Sequence, residues 1–160
     1  MSTEFRVGIG YDVHVFEKNI RFTLGGILIK SDYGCKSHSD GDVLVHAIID
    51  SLLGAAGKND IGYYFPDDIS EYKNCSSIIF LEKTLEIIKD FEIINIDCII
   101  VAQSPKLSPY RVAIQENLSK ICKINQDRIN IKFKTEEGLG FTGEEKGIKA
   151  IANCLLKKHF

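Results

Sequence analysis

The sequence has no dense basic cluster, no CxxC pair, no internal repeat and no proline- or glycine-rich linker. A formal charge of -2 over 160 residues leaves no broad electrostatic footprint for nucleic acid, so any phosphate must be held by a local site. The longest apolar stretches, such as 93–102, are too short for a bilayer span, and that one carries Asn95 and Asp97. MSTEFRVGIG lacks the basic stretch and apolar segment of a secretory signal. The five cysteines, Cys35, Cys75, Cys98, Cys122 and Cys154, are odd in number and scattered. They read as reduced, mostly buried thiols of a cytosolic protein. Neither a nucleic-acid nor a membrane partner is expected.

What is present suits one domain over 1–160, with 44% hydrophobic and 26% charged residues. Residues 5–9 alternate as a first strand, and 20–29 read as a hairpin turning at Gly25-Gly26. A loop rich in Gly, Ser and Asp follows at 31–41. Residues 42–56 have the apolar spacing of a well-buried helix, with Ser39 or Asp40 as its cap. Residues 57–74 show little periodicity, and long loops of this kind are often functional. Beyond them the pattern predicts a helix at 75–89, a strand at 93–102, a helix at 108–121, a strand at 128–134 and a last helix at 144–158. In 93–102, Ile94, Ile96, Cys98, Ile100 and Ala102 form one apolar face, while the other face is only half-apolar. One sheet face should therefore carry the helices and the other should meet another subunit.

Three of the four histidines, His14, His38 and His46, lie close together in sequence, with His159 set apart in the C-terminal tail. Asp12 and His14 share one face of an extended strand. Asp42, His46 and Asp50 recur every four residues on one helix face. Two imidazoles and a carboxylate leave an open fourth position on tetrahedral zinc, the pattern of a catalytic site. Taken singly, a DxH pair is more often a solvated strand edge, and a lone helical histidine more often structural. The segment KSHSDGDVLVH shifts the balance, because it crowds His38, Ser39, Asp40, Asp42 and His46 into one loop and helix start. The free N–H groups of that helix start favour an anion. A glycine-rich loop, KTEEGLGFTG from Lys134, adds further backbone N–H groups, with Glu136 and Glu137 as oxygen donors of the kind magnesium prefers.

GYDVH, SHSDGDVLVHAIIDSLLGAAGKNDIGYYFPD, AQSPK and TEEGLGFTGEEKGI together resemble the 2-C-methyl-D-erythritol 2,4-cyclodiphosphate synthase family, lyases of non-mevalonate isoprenoid biosynthesis. The resemblance implies an α+β fold, a mixed, ferredoxin-like sheet with helices on one face, and a homotrimer with sheets facing inward and active sites between subunits. It implies conversion of 4-diphosphocytidyl-2-C-methyl-D-erythritol 2-phosphate to the cyclic diphosphate and CMP. Asp12, His14 and His46 fall on the zinc ligands. His38 and Ser39 fall beside the substrate's 2-phosphate, and Asp60, Gly62 and Asp67 on its erythritol unit. Ala102, Pro105, Lys106 and Leu107 fall on the cytidine pocket, flanked by Phe133, Lys134 and Phe141. Thr135 and Glu137 fall on the diphosphate and its magnesium or manganese, and with His38 they are the residues closest to the chemistry.

Two departures stand out. Where the family often reads Ala-Thr-Thr, this chain has Phe133-Lys134-Thr135, so only the threonine carries over. Where many members have an arginine lining a central trimer cavity, this chain has Glu144, with Lys146 two residues on. That change argues against an isoprenoid diphosphate in such a cavity. A zinc-dependent phosphohydrolase and a trimeric binding module with a structural zinc remain the competing readings. A bacterial cytoplasm is the expected location, with a plastid form lacking its targeting segment as the alternative.

Overall fold

The computed structural model describes residues 2–160, with the side chain of His159 outside the described set. The chain begins with a long strand, β1 (Thr3–Lys18), then a hairpin of β2 (Phe22–Leu24) and β3 (Ile27–Ile29), and a short β4 (Tyr33–Cys35). Helix α1 (Val43–Ala55), the single turn α2 (Ile61–Tyr64) and helix α3 (Ser77–Ile87) lead to β5 (Phe91–Val101). Helix α4 (Arg111–Cys122), β6 (Ile129–Lys134), the turn α5 (Gly140–Gly143) and β7 (Gly147–His159) complete it.

Five strands form one mixed sheet in the order β4-β1-β7-β5-β6, in which only β5 and β6 run parallel. The hairpin β2–β3 stands as its own two-stranded sheet. The main elements follow as β-α-α-β-α-β-β, whereas a ferredoxin-like unit runs β-α-β-β-α-β. The expected helical layer over a mixed sheet is present, but its connectivity differs from the ferredoxin-like one.

The helix expected at 144–158 is instead the central strand β7. Ile148, Ala150, Ala152, Cys154 and Leu156 alternate into the core, none more than 2% exposed. That is a period of two. Alanine, leucine and lysine favour helix locally, yet β7 pairs with β1 on one side and β5 on the other, and this pairing overrides propensity. The first strand also runs on past residue 9 to Lys18, since its alternation continues through Asp12, His14 and Phe16. In β5 a bulge between Ile93 and Asn95 shifts the register, so Ile93 rather than Ile94 faces the core there.

Helix α1 lies across β1 and β7, with Leu44, Ile48, Leu52 and Leu53 fully buried beneath it. Burying each such leucine or isoleucine contributes about 1.5–3 kcal/mol. The helix comes unusually close because β1 has glycine at two inward positions. A Cβ at Gly8 would sit 1.9 Å from the Ser51 carbonyl oxygen, and one at Gly10 1.8 Å from that of Ala47. The opposite face of β1 carries Phe5, Val7, Ile9, Tyr11, Val13 and Val15, all exposed, with Val7 at 74% and Ile9 at 68%. Such an exposed apolar row on one strand face is a candidate interaction surface.

Candidate active site

The two glycines set the site's geometry by letting α1 approach the strand that continues into Asp12 and His14. His46, one residue before Ala47, then comes within reach of both. His46 Nδ1 lies 2.9 Å from Asp12 Oδ2 and 3.1 Å from His14 Nε2, and His14 Nε2 lies 3.1 Å from Asp12 Oδ2. Bonds of 2.0–2.1 Å to a tetrahedral zinc put ligand atoms roughly 3.3 Å apart, so this triangle is close to one face of such a site. Among the described residues, these three form the cluster able to hold a metal ion. Burial works to raise the Asp12 carboxyl, but hydrogen bonds and charge from His14 and His46 outweigh it and hold the group well below the usual carboxylate range. Burial works to lower His46, yet its bond to Asp12 and the charges of Asp12, Asp42 and Asp40 outweigh that and raise it.

The helix start is built differently from the sequence expectation. Asp42, fully buried, caps α1 by accepting from Val45 N at 3.1 Å, and its two oxygens also take Gly25 N at 2.9 Å and Gly26 N at 2.7 Å. Burial and the neighbouring Asp40 push this carboxyl up to about 6, against those three donors. The α1 N-terminus is thus occupied by its own carboxylate and does not serve as the expected anion seat. Asp40 instead serves α3, accepting from Ser77 N at 3.0 Å. Asp50 accepts from Ile61 N at 2.7 Å and anchors the start of α2, so it does not join the metal cluster.

The triad forms the floor of a cavity of about 180 Å³ whose walls include Ser37, His38, Ser39, Gly62, Asp67, Phe65, Tyr72 and Phe80. His38 is exposed, and Ser39 Oγ lies 3.3 Å from His46 Nε2. The long segment after α1 folds over this cavity. Asp60 caps α2 through Tyr63 N at 3.0 Å, and Phe65 stacks on Phe80 with ring centroids 4.8 Å apart. Asn74 N bonds His38 O at 2.7 Å, which ties the end of the segment to the loop bearing His38 and Ser39. Asp60 is not part of the cavity lining, whereas Gly62 and Asp67 are.

A second cleft, about 370 Å³, is lined by Ala102, Gln103, Pro105, Lys106, Leu107, Ser108, Phe133, Lys134 and Thr135. It shares no lining residue with the first. Phe133 is half-buried in it under the Arg111 guanidinium, 5.4 Å from the ring centroid. The glycine-rich loop borders this cleft through Gly138 N, which donates to Gln103 Oε1 at 3.3 Å. Glu136 is taken by Lys149 Nζ at 2.6 Å and by the Thr142 hydroxyl. Glu137 is left exposed at a left-handed φ of 52°, a strained conformation for a side chain and one that clusters at functional sites. Phe141, also exposed, lies beneath Lys149 rather than in the cleft.

The YgbB family model matches residues 5–157. The chain belongs to the YgbB family. It is 50% identical over 153 residues to 2-C-methyl-D-erythritol 2,4-cyclodiphosphate synthase of Clostridium botulinum, covering 94% of this chain and 99% of that relative. Its fold is similar to the bifunctional IspDF of Campylobacter jejuni, with TM-score 0.95 and 41% identity, over 99% of this chain and 43% of that longer one. It is also similar to the CDP complex of IspF from Plasmodium falciparum, with TM-score 0.85 and 40% identity, over 98% and 97% of the two chains.

In this YgbB chain the residues singled out from sequence therefore fall into two groups. Asp12, His14, His46, His38, Ser39, Gly62 and Asp67 gather at the first cavity, and Ala102, Pro105, Lys106, Leu107, Phe133, Lys134 and Thr135 gather at the second. Sequence reasoning missed Ser77, whose hydroxyl lies 2.8 Å from His46 Nε2. It also missed Tyr72, Phe65 and Phe80, which close the first cavity with aromatic surface. Ser76-Ser77 before an apolar run was a helix-cap signal, but only tertiary packing brings Ser77 to His46.

Proposed function

We propose that the chain converts 4-diphosphocytidyl-2-C-methyl-D-erythritol 2-phosphate to 2-C-methyl-D-erythritol 2,4-cyclodiphosphate and CMP, acting as one domain over 1–160. The observation that carries this is the triangle of Asp12, His14 and His46 on the floor of a small polar cavity, in a chain half-identical to synthases of that name. A mixed nitrogen and oxygen donor set with near-tetrahedral spacing fits zinc. A single exposed carboxylate, Glu137, fits the habit of magnesium or manganese, which take one or two carboxylates plus substrate phosphates. When bound, these ions supply Lewis-acid polarisation of the β-phosphate and neutralisation of the diphosphate.

The residues supply position. In this reading His38 and Ser39 hold the 2-phosphate, while Gly62 and Asp67, with Asp60 nearby, hold the erythritol unit. Ala102, Pro105, Lys106 and Leu107 receive the cytosine, beside Phe133 and Lys134, and Thr135 and Glu137 receive the diphosphate, with Phe141 at the edge of that loop. A 2-phosphate oxygen forms a bond to the β-phosphorus, the bond from β-phosphorus to the α-β bridging oxygen breaks, and CMP leaves with that oxygen. No protein nucleophile is required, and rate comes from orienting two ends of one molecule.

In this reading the substrate bridges the first cavity of one subunit and the second cleft of a neighbour in a homotrimer, supported by two clefts that share no lining residue and by the exposed apolar row of β1 as the proposed seam. The free cysteines, four of them buried, support a cytoplasmic location. The test is a phosphorus NMR time course with the substrate, zinc and magnesium. CMP with the coupled doublets of a cyclic diphosphate is expected. CMP with a linear product would overturn the cyclase reading in favour of hydrolysis.

A further inference from the structure

Behind the metal triangle His46 is backed by Ser77 and Asp40, two groups that the reaction itself does not use. His46 Nε2, the ring nitrogen facing away from Asp12 and His14, lies 2.8 Å from Ser77 Oγ. Ser77 is completely buried, and its hydroxyl donates to Asp40 Oδ1. The Asp40 carboxylate accepts Ser77 N at 3.0 Å and Asp42 N at 3.2 Å as well. Its own backbone N–H is fixed to Cys75 O at 3.1 Å. Asp40 is therefore held on three donors between the starts of α1 and α3.

Proton counting gives this chain a direction. A carboxylate only accepts, so the single Ser77 hydrogen points to Asp40. Ser77 Oγ then meets His46 with lone pairs alone, and Nε2 must carry the hydrogen between them. In the neutral ring Nδ1 is left with its lone pair, aimed at the point where Asp12 and His14 converge. Ser39 Oγ, at 3.3 Å, is the other hydroxyl near Nε2, but it lies on the cavity wall and in the proposed function is committed to substrate.

We infer that Ser77 and Asp40 are positioning residues for the metal site: together they fix His46 as the Nε2–H tautomer and present Nδ1 as the metal ligand. The inference rests on the zinc reading above. Outer partners of this kind typically change metal affinity by 10–100-fold when removed.

The test uses the full-length protein with its histidines labelled with nitrogen-15. In the zinc-loaded parent, the His46 ring shifts should show metal on Nδ1 and a slowly exchanging proton on Nε2. Ser77→Ala should lose that slow exchange and weaken zinc binding about 10–100-fold in chelator competition. Ser76→Ala removes the cap of the same helix without touching His46, and should leave zinc affinity unchanged. Ser77→Ala with parental zinc affinity, an equal loss in Ser76→Ala, or parental His46 bound through Nε2 would each overturn the inference. The last of these is read in the parent and stands even if Ser77→Ala fails to fold. A parent that bound no zinc would instead refute the zinc reading itself.

Discussion

Gly10→Ala tests the link between strand packing and the site most directly. The added Cβ would lie 1.8 Å from Ala47 O, 2.7 Å from Ser51 N and 2.9 Å from Ala47 C, all backbone atoms that no rotamer change can move. Ordinary carbon–oxygen contacts start near 3.3 Å, so α1 must retreat from β1 by roughly 1.5 Å. Overpacking of this kind costs about 1–3 kcal/mol and occasionally more. With both sides rigid, a loss of about 3 kcal/mol is expected, and at this chain length that lowers Tm by roughly 6–12 °C. Because Ala47 follows His46 directly, the same retreat opens the 2.9 and 3.1 Å separations of the donor triangle. Zinc affinity should fall by at least about tenfold, as one ligand moves out of bonding range.

Gly54→Ala is the matched control on the same helix. Its Cβ would meet only Ile9 O, at 3.8 Å, an ordinary contact. Replacing a helical glycine there should leave zinc binding unchanged and stabilise by about 0.5–1 kcal/mol. Calorimetry and chelator competition on the two variants give the answer. If Gly10→Ala melts within a degree of the parent and keeps its zinc, the close approach of α1 to β1 is not what builds the site.

Further expectations test the other parts. Loading zinc requires His46 to lose its proton, and its pKa is raised above 6.5, so as pH is lowered the apparent affinity should begin to fall before pH 6.5 is reached and then drop about tenfold per pH unit; a flat profile from pH 8 to 6 would contradict this. In the zinc-free protein, the lowered Asp12 contributes stability present above 3.8 and lost as pH falls through its folded value, while the raised His46 contributes stability present below 6.5 and lost as pH rises through its own. Thermal melts should therefore show this pair's support greatest between those limits. Lys149→Met frees Glu136 and loosens the glycine-rich loop, so turnover should fall about tenfold with a higher magnesium requirement, while zinc content stays full; parental turnover would remove the loop from the argument. Ile9→Lys places a charge in the exposed apolar row, and sedimentation should show monomers that keep zinc but do not turn over; an intact trimer would show that the seam lies elsewhere.

The parts of the fold legible in the sequence are those whose signal is local. The helix at α1 has an uninterrupted apolar period, the Gly25-Gly26 hairpin has its turn residues, and Asp12, His14 and His46 stand out because imidazoles are scarce in this chain. The parts that escaped depend on neighbours. β7 reads as helix until β1 and β5 flank it, because two of its inward residues, Ala150 and Ala152, are alanines whose small size suits the space under α1 as well as it suits a helix. Asp42 looked like a ligand neighbour or an anion seat, but burial turned it into the clasp between α1 and the β2–β3 hairpin. Ser77 carried no sequence signal toward His46, since the two are 31 residues apart and meet only when α3 packs on α1.

The strand β1 shows why the candidate metal site and the proposed assembly surface are specified together. Gly8, Gly10, Asp12 and His14 occupy one side, the first two admitting α1 and the last two offering donors to its His46. Phe5, Val7, Ile9, Tyr11, Val13 and Val15 occupy the other. Pairing with β7 sets Asp12 opposite Ala150 and His14 opposite Ile148. A slip of one residue would turn every side chain over, burying the apolar row under α1 and pointing both ligands at the proposed seam. The glycines forbid that slip, because only they fit against the Ala47 and Ser51 carbonyls. The register that positions the candidate metal ligands is thus the register that leaves the apolar face free for the proposed seam, and one strand couples the site to the trimer it is proposed to need.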